Sequence, residues 1–121
     1  MSARNLDRVY LIHILECIDK VRRFTVDGRT YFLSDEKTQD AVVRNLQIMA
    51  ESTQRLSANT KAQHPEVDWR GIGRFRNLVV HDYMVLDYIR IWGVIESRLD
   101  PLEKAIRQAL AELDGPPESE D

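Results

Sequence analysis

With 121 residues, 43% hydrophobic and 31% charged, the chain is expected to be one globular domain long enough to bury its own core. Its net charge is −3, but residues 114–121 hold four of the 20 acids and no base, leaving 17 bases against 16 acids elsewhere. That balance excludes a protein that coats nucleic acid through global basicity, so any RNA binding must come from a local cluster.

No apolar run reaches the roughly 18 residues of a membrane span, and no signal-peptide core follows Met1–Arg8, so a cytoplasmic protein with no membrane contact is expected. Leu6, Tyr10, Ile14, Cys17, Val21 and Phe24 step by three or four and predict a first helix from about Arg4 to Phe24. Val9, Ile12, Leu15 and Ile18 widen its stripe enough to suggest cover on two sides, including a partner subunit. His13 reads as packing or interface, and Cys17, the only cysteine, as a small core residue. Residues 25–33 carry the Asp27-Gly28 turn signal without helical periodicity and are expected to be a loop.

Ser34 or Asp35 caps a second helix whose inward face is Val42, Leu46, Met49, Thr53 and Leu56. Asn45 sits beside that face and is expected to make a structural hydrogen bond, with a supporting role at a site as the alternative. His64 precedes Pro65, which biases it to an extended loop conformation. Asp68 caps a third helix that turns Ile72, Phe75, Leu78 and Val79 to the core and Arg74, Asn77 and His81 to another side. A fourth helix carries Tyr88, Ile91, Trp92, Ile95 and Leu99 inward. Asp100-Pro101 then reads as a stop and restart, opening a short fifth helix through Leu102, Ile106, Leu110 and Leu113. The expected fold is all-α: an antiparallel four-helix bundle with a short fifth C-terminal helix over residues 1–113, followed by a disordered acidic tail, 114–121.

Chemistry concentrates in Arg74-Phe75-Arg76-Asn77-Leu78-Val79-Val80-His81-Asp82-Tyr83. Arginine is a permanent cation whose planar fork fits phosphate oxygens, and histidine can take and give a proton near neutrality. Together they suit phosphodiester chemistry. Asn77 and His81 share a helical face with Arg74 one turn earlier, but Arg76 lies about 140° from His81 on a straight helix. Either the backbone turns near His81, or the guanidinium stem wraps round, or Arg76 of one subunit serves His81 of another. Arg70, Arg74 and Arg76 form the local basic cluster that could bind RNA. No Gly-rich phosphate loop, metal-ligand spacing or Ser-His-Asp arrangement stands out, so neither cofactor nor metal is expected.

Arg76-x-x-x-x-His81-x-Tyr83, with Asn77 directly after the arginine, resembles the RxxxxHxY signature of HEPN-domain proteins, specifically HepT-like ribonuclease toxins paired with a small nucleotidyltransferase antitoxin. Lys37–Leu46 resembles that family's second helix and Pro65–Arg70 the lead-in to its motif helix, so the resemblance covers most of residues 4–110. Gly71 and Gly73 stand where such sequences usually carry a bulky residue, a departure expected to loosen the turn before Arg74.

The resemblance implies a HEPN-like bundle and a metal-independent endoribonuclease, in which a ribose 2′-hydroxyl attacks its adjacent phosphate. His81 would move a proton, Arg76 would hold the phosphate, and Asn77 would orient either. Tyr83 matches the tyrosine that the antitoxin modifies with adenylate. The implied partners are RNA and the nucleotidyltransferase, with no DNA; a homodimer is expected because internal attack wants a base and an acid on opposite sides of the phosphate and each chain offers one plausible histidine. A non-catalytic helical module that binds a nucleotidyltransferase or a nucleotide through the same residues is the alternative, and a purely structural helical dimer is a third reading.

Overall fold

The computed structural model describes residues 2–81 and 86–115, with Val80 and His81 described by backbone alone. Six helices account for nearly all of them: α1 Ala3–Phe24, α2 Gly28–Ser34, α3 Glu36–Arg55, α4 Ala58–Ala62, α5 Trp69–His81 and α6 Tyr88–Leu113. The expected all-α bundle is present, built from the four long helices.

The contacts between helices fix their directions. Asp7 near the start of α1 meets Ser57 just past the end of α3, so these two run antiparallel. Arg8 pairs with Asp114, and Arg22 with Asp100 and Glu103, which sets α6 antiparallel to α1. Glu51 faces Arg76 while Gln54 faces Gly73, so α5 runs antiparallel to α3. The helices therefore lie side by side in the order α6, α1, α3, α5. A groove of about 550 Å³ remains between α5 and α6, floored by Leu46 and Met49 of α3.

The seam of α1 is Leu11, Ile14, Ile18 and Val21, all within 1% of complete burial, with Asp7 and Cys17 also buried. It lies slightly round the helix from the expected stripe, leaving Leu6 and Phe24 on the surface at 40% and 37% exposure. The expected inward residues Val42, Leu46, Met49 and Thr53 of α3, and Leu56 just past its end, are all buried. Asp35 caps that helix by accepting from the Thr38 amide at 3.0 Å.

Two expectations about element boundaries are corrected. Gly28 does make the turn, with a φ of 91° that favours glycine, but α2 follows it where a loop was expected. This helix is held by tertiary packing rather than by its own periodicity, since fully buried Phe32 stacks edge-on against Tyr88 at 6.0 Å and tilted against Trp92 at 5.5 Å. The restart at Pro101 does not occur either, because α6 runs unbroken through it and there is no separate fifth C-terminal helix. Proline removes one backbone hydrogen bond, to the carbonyl of Ser97. Both residues are exposed, so water can satisfy that carbonyl while buried Leu99, Leu102 and Ile106 hold the helix on its other side.

Candidate active site

The motif helix is anchored at its start by three side chains. Trp69 donates from Nε1 to the carbonyls of Lys61 and His64 at 3.1 and 3.0 Å. His64 itself is only 5% exposed, with Nδ1 3.3 Å from Glu66 and Nε2 2.9 Å from Glu112 in the last turn of α6. Glu66 is held below the ordinary carboxylate range, chiefly by a backbone hydrogen bond, with the His64 contact adding to it. The loop expected around His64 is present as a turn, closed by the Val67 amide donating to the His64 carbonyl at 3.2 Å, and it ties the start of α5 to α6 through a buried histidine. Asp68 caps α5 by accepting from the Gly71 amide at 2.9 Å, as its position predicts.

Gly71 and Gly73 both lie within α5, where a loosened turn before Arg74 was expected. A Cβ on Gly71 would stand 2.3 Å from the Asp68 carboxylate that caps the helix. A Cβ on Gly73 would stand 3.0 Å from the Gln54 amide nitrogen of α3. The glycines permit close approach, of the cap at one position and of α3 at the other.

Arg76 points toward α3. Its side chain is 32% exposed, its Nε lies 4.0 Å from Glu51 Oε1, and one terminal nitrogen donates to Asn77 Oδ1 at 3.3 Å. The buried Nε has no hydrogen-bond partner among the described residues. Arg74 is far more open at 71%, with Asp68 3.7 Å away, and Arg70 and Asn77 are exposed. His81 is the last residue of α5, one turn beyond Asn77 along the backbone. Tyr83 lies outside the described residues. Arg76 and Asn77 are therefore brought together, while Arg70 and Arg74 stand apart on open surface.

The core face of α5 is narrower than its spacing predicts. Val79 is buried and Ile72 and Phe75 are partly so, but Leu78 is 49% exposed beside the groove. Asn45 donates to the Ala41 carbonyl at 2.9 Å within α3, the structural bond expected of it, and His13 is exposed on α1. Sequence reasoning missed Glu51 and Gln47, whose amide donates to Glu51 at 3.2 Å. Their i, i+4 spacing on the flank of an apolar stripe was the available signal.

The pattern that defines the family Ribonuclease HepT-like matches residues 14–109, from the middle of α1 almost to the end of α6. The chain belongs to the HepT-like ribonuclease family. It is 32% identical over 114 residues to "Putative RNase MJ0127" of Methanocaldococcus jannaschii, covering 93% of each chain. It is 34% identical over 95 residues to "Probable ribonuclease HepT" of Thermococcus cleftensis, covering 78% of this chain and 86% of that one. No solved structure gives a significant match.

In this HepT-like chain the matched region contains all of α3 and α5, and with them Glu51, Arg76, Asn77 and His81. Among the described residues no cluster of three or more His, Cys, Asp and Glu side chains is arranged to hold a metal ion. None of the described helices is long and apolar enough to cross a membrane.

Proposed function

We propose that this chain is a metal-independent endoribonuclease and the toxin of a toxin–antitoxin pair, acting through Arg76 and His81. Membership of the HepT-like ribonuclease family, over a match that includes the whole motif helix, is the observation that carries this reading. The geometry that supports it is an arginine held against α3 beside Asn77, on the same helix that ends at His81. RNA supplies its own nucleophile. The 2′ oxygen forms a bond to phosphorus as its proton passes to a base, and the bond from phosphorus to the 5′ oxygen breaks as that oxygen takes a proton from an acid. The products are a 2′,3′-cyclic phosphate and a free 5′-hydroxyl. Arg76 stabilises the charge that develops on the phosphate, and Asn77 orients the histidine or the phosphate.

Base and acid stand on opposite sides of the phosphorus, and each chain offers one His81, so the reading includes a homodimer with both histidines at one site. Half-exposed Leu78 and the groove beside α5 supply apolar surface for a second copy. Exposed Arg70 and Arg74 extend the phosphate-binding track. The proposed antitoxin is a nucleotidyltransferase that transfers adenylate from ATP to the Tyr83 oxygen, with pyrophosphate leaving. The added phosphate would compete with RNA for Arg76. Purified protein incubated with total RNA in EDTA is expected to give fragments ending in 2′,3′-cyclic phosphate. Loss of cleavage in EDTA, or undiminished cleavage by His81→Ala, overturns the mechanism. Unmodified Tyr83 in a fully silenced toxin, found by mass spectrometry after co-expression, overturns the adenylylation.

A further inference from the structure

Gln47, Glu51 and Gln54 occupy positions i, i+4 and i+7 of α3 and so form one stripe along that helix. Gln54 meets α5 at Gly73 and Glu51 meets it at Arg76, so each turn down α3 advances one turn up α5. Gln47 is the next step, toward the end of α5 that carries His81. At Gly73 the end of the Gln54 side chain comes within 3.0 Å of where a Cβ would stand.

The demand for such a stripe comes from Arg76. Its side chain is about two-thirds buried, and its Nε is out of reach of water with no hydrogen bond among the described residues. Taking a cation out of water is costly unless an anion faces it. Glu51 is that anion. At 4.0 Å from Nε its carboxylate is too distant for a direct hydrogen bond, so the interaction is one of charge. Gln47 restrains the same carboxylate oxygen from the side away from Gly73.

We infer that Glu51 is a positioning residue for the cleavage reaction: from α3, held by Gln47, it fixes the guanidinium of Arg76 in the orientation that meets the scissile phosphate. This deepens the proposed function and rests on it. Its negative charge also works against the anionic substrate, so removing it has two opposed effects. The guanidinium is freed to swing, which slows the chemical step. The local field becomes more positive, which favours RNA binding. A residue serving only the stability of the helix pair would not divide kcat from KM in this way.

The test is a steady-state kinetic comparison of full-length wild type with Glu51→Gln, Arg76→Ala and the double variant, each checked by thermal melting. Glu51→Gln is expected to lower kcat by about 10- to 100-fold, the scale of a small misplacement of a reacting group, without raising KM. In the Arg76→Ala background the same change is expected to alter the rate by less than about twofold, because the two residues act as one unit. Gln47→Leu, which leaves the charge in place but frees the carboxylate, gives a smaller loss of the same kind. An undiminished kcat in Glu51→Gln beside a slow Arg76→Ala overturns the inference alone. So does a loss from Glu51→Gln that is equally large with and without Arg76. Wild-type cleavage by Arg76→Ala overturns the proposed cleavage reading and this inference with it.

Discussion

Two charged side chains sit against α3 and its C-terminal connection, and they are treated in opposite ways. Asp7 of α1 is 4% exposed and fully paired: its carboxylate accepts from the Ser57 amide at 2.9 Å, the Ser57 hydroxyl at 2.6 Å and the Thr60 hydroxyl. Burial pushes this carboxyl up, but the three hydrogen bonds together outweigh it and hold it below the ordinary range. Arg76 has one long ion pair, one hydrogen bond to its own neighbour, and a buried Nε with no partner among the described residues. The first arrangement commits both carboxylate oxygens to the fold. The second leaves donors at the end of the guanidinium uncommitted among the described residues, as the proposed role of meeting an external phosphate would require.

The comparison breaks first if Arg76→Ala melts far below wild type while cleaving RNA normally. The expected result is the reverse: a fall of about 10²- to 10³-fold in kcat, the usual loss for one transition-state donor, with little change in melting temperature. Asp7→Ala should do the opposite. It strands three donors at the junction of α1, α3 and α4, and a loss of about 3 kcal/mol is expected, seen as a melting temperature lower by about 10 °C. Cleavage per folded molecule should be unchanged.

The same contrast has a pH signature. Because the Asp7 carboxyl titrates lower in the folded chain than in the unfolded one, its contribution is present above the unfolded value and is lost as pH falls through the depressed folded value. Urea melts of wild type and Asp7→Asn between neutral and acid pH should therefore converge only below the ordinary aspartate range. A constant gap down to that point and beyond would mean that the carboxylate form is not what stabilises the junction.

Smaller changes sharpen the picture around α5. Gly73→Ala should gain up to about 1 kcal/mol of helix stability, because only the end of the Gln54 side chain has to yield. Gly71→Ala should gain nothing, since its Cβ displaces the carboxylate that caps the helix. Differential scanning calorimetry of the pair reads the difference, and equal shifts would show that the two glycines are not distinct. Arg74→Ala should weaken RNA binding only a few-fold and reduce the salt dependence by about one phosphate contact, with kcat intact. A loss of kcat as large as that of Arg76→Ala would place Arg74 inside the reacting group instead.

Periodicity and caps made much of the bundle legible beforehand. The inward face of α3, the Asp35 and Asp68 caps, and the extent of α1 follow from local rules, because each depends on residues within a turn or two. α2 and the unbroken α6 did not follow from such rules. Phe32 is placed by rings from α6, far away in sequence, and Pro101 is tolerated because it falls on the solvent face of a helix already packed on its other side. For the site, the motif residues could be read as a spacing, but the support for Arg76 could not. Glu51 is 25 positions upstream and becomes a neighbour only when α3 and α5 pair antiparallel. His64 was legible as a loop residue but not as a buried tie to Glu112.

Cys17 is the only cysteine in the chain, is 6% exposed in the core, and burial makes its thiol harder to ionise than usual. A thiolate is the form that alkylating reagents attack, so the folded bundle shields this sulfur twice, by access and by charge state. Nature has thereby left the molecule with an internal clock. A small alkylator is expected to mark Cys17 slowly, at a rate that counts how often α1 parts from its neighbours, with no substitution introduced and no residue near α5 disturbed.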